Sequence, residues 1–204
     1  MDAIVKLETL QSRLIAAEPP LPLVPTRSDF DLNLASGRQR ADTLIAAAVL
    51  IPVVERAEPT VLFTERSADL KHHAGQVSFP GGRADATDIS LTATALRELE
   101  EEVGIAASFV TVAGYVEPYE TVTGFAVLPV VGLIRDGFTL ALDAREVEAV
   151  FEVPLRFLLD PANCVEETLD WNGVTRRFYA FRYEGHTIWG ATAAILKVLS
   201  ERLR

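Results

Sequence analysis

Apolar and polar positions predict β-strands over much of the chain after residue 43. The apolar run Leu44–Val54 and the run Thr60–Arg66 are rich in β-forming residues, and a polar turn separates them, which predicts a hairpin. Arg176–Trp189 has the pattern of a second hairpin. Strands are also predicted within Gly75–Pro80, Ser108–Val116, Phe125–Ile134 and Arg145–Leu159, the last of which also includes one or two helical turns.

Helical periodicity occurs in three places. It predicts a short amphipathic helix over residues 3–17, a helix from about Ile89 to Val103, and a closing helix over Gly190–Leu203. The stretch Glu18–Asn33 is proline-rich and is predicted to be irregular, wrapping onto the main body as an arm. Strands interleaved with a few helices predict a mixed α/β sandwich, divided into an N-terminal helix and arm (1–42) and a main domain (43–204).

The helix that ends at Val103 carries four glutamates in five residues. At about 100° per residue, three of them, Glu98, Glu101 and Glu102, share one arc, and Glu100 points away. The arc beside them is apolar and faces the core: Leu91, Ala95, Leu96, Leu99 and Val103. Like charges at i, i+4 are destabilising, and a hard divalent cation that prefers oxygen ligands removes that penalty. A solvated acidic face is the alternative interpretation.

The segment before this helix favours a ligand site. The glycine pair Gly81–Gly82 allows a ligand to approach the backbone closely, and Asp88 or Thr87 is predicted to cap the helix. Arg97 can reach Glu101 at i+4 and hold its carboxylate in place.

Composition limits the partners. Nineteen Lys and Arg against 29 Asp and Glu give a net charge of −10, which disfavours binding to nucleic acid or to an anionic membrane. One cysteine, Cys164, allows no intrachain disulfide, and the N-terminus lacks the apolar core of a signal peptide. These features predict a soluble, cytoplasmic protein, and a homodimer with the proline-rich arm packed across it remains open.

The sequence Arg97–Ile105 ("RELEEEVGI") resembles the second half of the Nudix box, REUxEExGU, in which U is a bulky aliphatic residue. The first half departs from that box, because the glycine pair lies one residue too early and the first glutamate is absent, with Asp85 or Asp88 nearby. Leu62–Asp88 is similar to the signature of the coenzyme A pyrophosphatase branch of this family. The resemblance covers about residues 43–200 and implies a Nudix-type α/β/α sandwich with a mixed β-sheet.

The resemblance also implies a chemistry and roles for residues. Nudix hydrolases cleave nucleoside diphosphates linked to another group with Mg²⁺ or Mn²⁺, and here the implied metal ligands are Glu98, Glu101 and Glu102. Glu101 is implied as ligand or base, and Arg97 as the residue that orients the carboxylates. A further glutamate from a distant loop is the other candidate base, with Glu146 and Glu148 as candidates and plain surface charge as the alternative.

A substrate of the coenzyme A class needs further contacts. Arg66, Lys71, His72 and His73 form a candidate anion-binding patch before Gly81 and Gly82. Trp189 and Phe125 could stack on adenine, with core packing favoured for each. The expected products are 3′,5′-ADP and 4′-phosphopantetheine or its acyl form. Hydrolysis of another nucleoside diphosphate derivative, such as ADP-ribose or NADH, and a non-catalytic nucleotide-binding module are the two alternatives; the intact REUxEE core argues against the second.

Overall fold

The protein is described here by a computed structural model of residues 7–33, 40–70, 73–171 and 174–204. None of the helices in these ranges is long and apolar enough to cross a membrane. The helices are α1 (Leu7–Arg13), α2 (Leu91–Val103), α3 (Leu155–Leu159) and α4 (Ala191–Leu203). The strands are β1 (Arg27–Ser28), β2 (Ile45–Val54), β3 (Thr60–Arg66), β4 (Val77–Ser78), β5 (Gly81–Arg83), β6 (Val110–Tyr115), β7 (Tyr119–Glu120), β8 (Phe125–Ile134), β9 (Val147–Pro154), β10 (Val165–Trp171), β11 (Val174–Tyr183) and β12 (His186–Trp189).

A large mixed sheet forms the centre of the fold. Its order is β1-β7-β8-β2-β3-β4, with β5 paired to β2, β6 to β8 and β9 to β3. Strands β2 and β8 run parallel over ten residues, from Ile45 opposite Phe125 to Val54 opposite Ile134. Both are almost continuously apolar because a central parallel strand is covered on both faces. The predicted hairpin of β2 and β3 is confirmed, although it joins the strands at only two residue pairs.

Side chains of β2 alternate between two hydrophobic clusters, one on each face of the sheet. Ala47, Ile51 and Val53 pack in the cluster that also contains buried residues of α1, α3 and α4. Ala48, Leu50 and Val54 pack in the cluster that contains the apolar stripe of α2. A sheet between helices on both sides confirms the predicted mixed α/β class.

Helix α2 is fixed at both ends. The Ser90 hydroxyl accepts a hydrogen bond from the Ala93 amide (3.1 Å), and the Glu18 carboxylate of the arm accepts one from the Leu91 amide (2.8 Å). At the other end Gly104 adopts φ 77° and donates its N–H to the Glu100 carbonyl, as left-handed glycine caps do. The prediction of Asp88 or Thr87 as N-cap is therefore wrong; the Asp88 side chain binds elsewhere, as described below.

The N-terminal arm packs against the body. Leu10 and Leu14 are buried in the hydrophobic cluster that also contains residues of α3 and α4. Ile15 exchanges two backbone hydrogen bonds with Tyr115 (2.9 Å each). Strand β1 adds to the large sheet by pairing parallel with β7. The prediction of an irregular stretch was wrong at β1, because two residues gain backbone partners from a distant strand that the local sequence does not reveal.

A second sheet, β10-β11-β12, lies against α4. The predicted hairpin over Arg176–Trp189 is confirmed as β11 and β12, but strand β10 was missed. Helix α4 begins one residue after Gly190, close to the prediction.

Candidate active site

The three glutamates of α2 lie in three different environments. Glu102 is buried, with 3% of its surface exposed. The Glu98 side chain is 15% exposed and the Glu101 side chain 60% exposed. Glu100 lies on the solvent side of the helix, as predicted. The exposed fraction of the three carboxylates therefore increases from Glu102 through Glu98 to Glu101.

Arg97 connects the outer carboxylates. Its guanidinium donates to Glu98 (2.9 Å) and to Glu101 (2.8 Å). It also makes a two-point contact with Asp88, at 3.1 and 3.0 Å, and Asp88 accepts a further hydrogen bond from the Thr94 hydroxyl (2.8 Å). These bonds hold the pKa of Asp88 well below its usual range and raise that of Arg97. Arg97 therefore bridges the loop after the glycines to two of the helix glutamates.

The glycine pair lies directly against this helix. A Cβ atom on Gly82 would lie 2.5 Å from Glu98 Oε1, closer than any side chain tolerates. Gly81 has φ 158°, and a Cβ there would meet the Ala48 carbonyl at 2.5 Å. The Gly81 amide donates a hydrogen bond to Glu102. Any side chain at 82 would therefore have to displace the Glu98 carboxylate.

Glu102 is the least satisfied of these carboxylates. Burial, with the nearby charge of Glu98, raises the pKa of Glu102 to about 8, against the opposing effects of the Gly81 hydrogen bond and of Arg66. Its Oε2 atom is buried and has no hydrogen-bond partner within the described ranges, and neither has Arg66 Nε. Burial also raises the pKa of Glu98. Buried polar atoms without partners are rare in native proteins, so this pair points to a missing ligand.

A divalent cation fits this arrangement. Among the described residues no three His, Cys, Asp or Glu side chains form a preassembled metal cluster, and Glu98 and Glu101 are both bound to Arg97. The unpaired oxygen of Glu102 and the repulsion between Glu98 and Glu102 are nonetheless what a hard cation with oxygen ligands would resolve.

Glu146 lies near these carboxylates. Its charge raises the pKa of both Glu98 and Glu102, and its backbone carbonyl accepts a hydrogen bond from the Ser67 amide (2.8 Å). Glu148 is exposed and has no described influence on either glutamate. Of the two distant glutamates considered from the sequence, the electrostatic effect on Glu98 and Glu102 favours Glu146.

A cavity of about 1130 Å³ opens beside the glycine pair. Its lining includes four of the predicted substrate-binding residues, namely Arg66, His73, Gly81 and Gly82. Lys71 and His72 lie outside the described residues. Phe125 and Trp189 also line the cavity, and Trp189 is 37% exposed, so the core-packing interpretation is wrong for that tryptophan.

Sequence reasoning missed several residues of this region. Asp88 was considered from the sequence only as a helix cap, and its two-point contact with Arg97 was not foreseen. Arg83 and Arg176, and the arm residues from Arg27 to Asn33, also line the cavity. Their unbalanced positive charges in an acidic chain are the signal that could have drawn attention to the two arginines.

The acidic helix and the glycine pair lie beside a cavity lined by several arginines, and these features form the candidate site. The NUDIX domain matches residues 44–171 of this chain. An uncharacterized Nudix hydrolase NudL of Yersinia enterocolitica is 48% identical over 157 residues, covering 77% of this chain and 80% of that protein. Another from Photorhabdus laumondii is 42% identical over 176 residues, covering 86% and 94%. The chain therefore belongs to the Nudix family of hydrolases, which act on pyrophosphate-containing substrates and generally use divalent metal ions.

The chain is also similar to solved structures. A nudix hydrolase from M. smegmatis, RenU, superposes with a TM-score of 0.49 at 18% identity, over 80% of this chain and 88% of that one. The MutT protein from Methanosarcina mazei gives a TM-score of 0.46 at 26% identity, over 58% and 83%.

Proposed function

We propose that the protein hydrolyses the pyrophosphate bond of coenzyme A or its derivatives, giving 3′,5′-ADP and 4′-phosphopantetheine or its acyl form. The observation that carries this proposal is the cavity beside the glycine pair. At about 1130 Å³ it exceeds the roughly 300–1,000 Å³ of ordinary small-molecule pockets, so it has room for a long two-part substrate. The similarity of Leu62–Asp88 to the coenzyme A pyrophosphatase signature supports the same substrate.

In this proposal Glu98 and Glu102 hold Mg²⁺ or Mn²⁺, with Glu101 as a further ligand or as the base. A bound divalent cation polarises the phosphoryl group and lowers the pKa of a bound water. Arg97 orients the carboxylates, because its guanidinium already contacts Glu98 and Glu101. Glu146 is the alternative base, since its charge reaches Glu98 and Glu102.

The substrate side of the site is cationic and glycine-lined. Arg66 and His73 line the cavity next to Gly81 and Gly82, where phosphate oxygens can approach the backbone. The positive charge of Arg66 acts on Glu102, which supports a role for this arginine near the pyrophosphate of the substrate. Lys71 stays a prediction as a further anion-binding residue.

Hydrolysis of coenzyme A in ¹⁸O-labelled water tests the proposal. With Mg²⁺ or Mn²⁺, mass analysis should find the two half-molecules, one of them carrying the label, and EDTA should abolish the reaction. Cleavage of ADP-ribose or NADH but not of coenzyme A would assign the alternative substrate class. No turnover of any of these with either metal would instead favour a non-catalytic nucleotide-binding module.

Two further predictions accompany this function, and the oligomeric state stays open between a monomer and a homodimer. The division into an arm (1–42) and a Nudix domain (43–204) stays a prediction, as does the cytoplasmic location. Sedimentation of the purified chain would decide the oligomeric state.

A further inference from the structure

Part of the cavity wall lies outside the matched NUDIX domain. Residues 44–171 match that domain, whereas the arm segment Arg27–Asn33, the β11 segment Arg176–Tyr179 and the start of α4 also line the cavity. We call these three segments the outer wall. The NUDIX match therefore assigns no role to these segments.

Asn33 joins two of these segments. Its amide group donates to the Arg177 carbonyl (2.9 Å) and accepts from the Arg177 amide (2.9 Å), so the side chain pairs with the edge of β11 as a neighbouring strand would. The same Nδ2 atom donates to the Asp29 carbonyl (3.1 Å) within the arm. Asp29 in turn accepts from the Tyr119 hydroxyl (2.8 Å) and the Val122 amide (2.7 Å) of the large sheet. The arm is thereby fixed between the two sheets.

The cationic side chains that line the cavity differ in their partners. Arg27 and Lys197 form ion pairs with Glu201, and Arg177 forms one with Glu166. Arg83 and Arg176 have no ion-pair partner among the residues that the structure describes. Arg83 follows the glycine pair directly, while Arg176 lies on the second sheet, next to the residue that Asn33 holds. The cavity therefore offers unpaired positive charge on both sheets, and only one of these positions adjoins the glycine pair.

We propose that Arg176 is a specificity-determining residue that binds a phosphomonoester carried by the ligand in addition to its pyrophosphate. Asn33 is the positioning residue, because it fixes the edge of the strand that carries Arg176. A guanidinium matches the geometry of a phosphate and makes strong, charge-assisted hydrogen bonds to it. The inference rests on the proposed function, since coenzyme A carries such a group on its 3′ position and dephospho-coenzyme A does not.

The test compares these two substrates in steady-state kinetics of the full chain. For Arg176→Gln we expect KM for coenzyme A to rise about 10-fold or more, while kcat and the KM for dephospho-coenzyme A stay within about twofold. Arg176→Lys should keep part of the preference, since it keeps the charge. Arg182→Gln is the matched control, because Arg182 lies on the same strand but is paired with Glu167 and does not line the cavity.

Asn33→Ala should reduce the preference for coenzyme A in the same direction but less. The double variant Asn33→Ala, Arg176→Gln should lose little more of the preference for coenzyme A than Arg176→Gln alone. Such non-additivity distinguishes a positioning role of Asn33 from general destabilisation. A wild type that hydrolyses both substrates with equal KM would overturn the proposal, and so would an Arg176→Gln variant that raises both KM values equally.

A binding experiment with nucleotides tests this inference independently of the proposed function. Calorimetry should find that the wild type binds 3′,5′-ADP about 10-fold more tightly than 5′-AMP, and that Arg176→Gln removes the difference. If coenzyme A is not hydrolysed but this difference is found, the function fails and the phosphomonoester site stands. Equal affinity of the wild type for the two nucleotides would remove the site.

Discussion

Two groups of charged side chains lie on and beside α2, and they differ in how their charges are compensated. In the outer group, Asp88, Glu98 and Glu101 all contact Arg97. In the inner group, Glu102 and Arg66 each leave a buried atom without a hydrogen-bond partner in the described part of the chain. Arg97 compensates the charges of the outer group within the protein, whereas the inner group has buried atoms that a ligand would pair.

The two groups therefore differ in how their carboxylates are stabilised. A carboxylate with a fixed arginine partner gains stability and a defined orientation, as Asp88 does. A buried carboxylate without one is costly in the protein alone, as the raised pKa of Glu102 indicates, and that cost is relieved by protonation or by a bound cation. Substitutions in the two groups should therefore have different signatures in activity and in stability.

The largest effect is expected for Glu102→Gln. Because the variant loses a buried anionic oxygen and keeps the side-chain shape, kcat should fall at least about 100-fold while the melting temperature changes little. Magnesium should raise the melting temperature of the wild type and leave that of the variant unchanged, since ligands stabilise only the state that binds them.

Glu100→Gln is the control for this substitution, as Glu100 is on the same helix and faces solvent. It should retain both activity and the magnesium-dependent shift. Near-normal turnover of Glu102→Gln would mean that the metal ligands lie elsewhere.

A smaller effect is expected for Arg97→Lys. Lysine keeps the positive charge but cannot contact Asp88, Glu98 and Glu101 at once, because it lacks the planar fork of guanidinium. We expect kcat to fall about 10- to 100-fold, as for other residues that orient ligands. Arg145→Lys, at an exposed pair with Asp143, should leave turnover unchanged, and an equal loss in both variants would contradict the assigned role of Arg97.

Gly82→Ala tests how closely the loop approaches the helix. Its Cβ would displace the Glu98 carboxylate, so we expect kcat to fall about 10-fold with a modest change in the free energy of unfolding. Gly137→Ala is the matched contrast, since Gly137 has φ 95° and open space around its Cβ position. That variant should lose about 1 kcal/mol of stability and retain its kcat. A Gly82→Ala enzyme with unchanged kcat would show that Glu98 tolerates displacement.

The sequence was informative where local periodicity decides the structure. The course of α2, its buried stripe and the outward Glu100 follow from residue spacing alone, and so do β8 and the β11–β12 hairpin. It also placed Glu98 and Glu102 on the same side of one helix. What spacing could not reveal is how unequally the glutamates are exposed, because exposure depends on the loop and strand packed over each one.

Contacts between distant segments were the main omission. The sequence named Asp88 as a helix cap, yet its carboxylate lies against Arg97, nine residues further on. Strand β1 and the Asn33 contact with β11 depend on partners about 90 and 144 residues away along the chain. Such pairings produce no periodic pattern of apolar and polar residues in the sequence, because each involves only one or two residues of the arm.

The smallest effect is expected for Asp88, a member of the outer group, and concerns the stability of the protein in acid. Arg97 lowers the pKa of Asp88 from its ordinary value of 3.8, so the folded protein binds fewer protons than the unfolded chain as the pH falls below that value. The contribution of Asp88 is therefore complete at about pH 5 and is lost on further acidification. The free energy of unfolding of the wild type should fall between about pH 5 and pH 3, and in Asp88→Asn this fall should be smaller by about 1 kcal/mol. Urea denaturation at the two pH values measures the difference.

Asp143→Asn is the comparison for this measurement, because Asp143 is also held by an arginine, but by the 88% exposed Arg145. Salt at about 0.5 M should screen the Asp143 contribution and leave most of that of Asp88, whose side chain is 8% exposed. If salt removed both contributions equally, Asp88 would be an ordinary surface partner of Arg97. The distinction between a supporting group fixed inside the protein and a surface ion pair would then not hold, and the orientation of Glu98 and Glu101 would need another source.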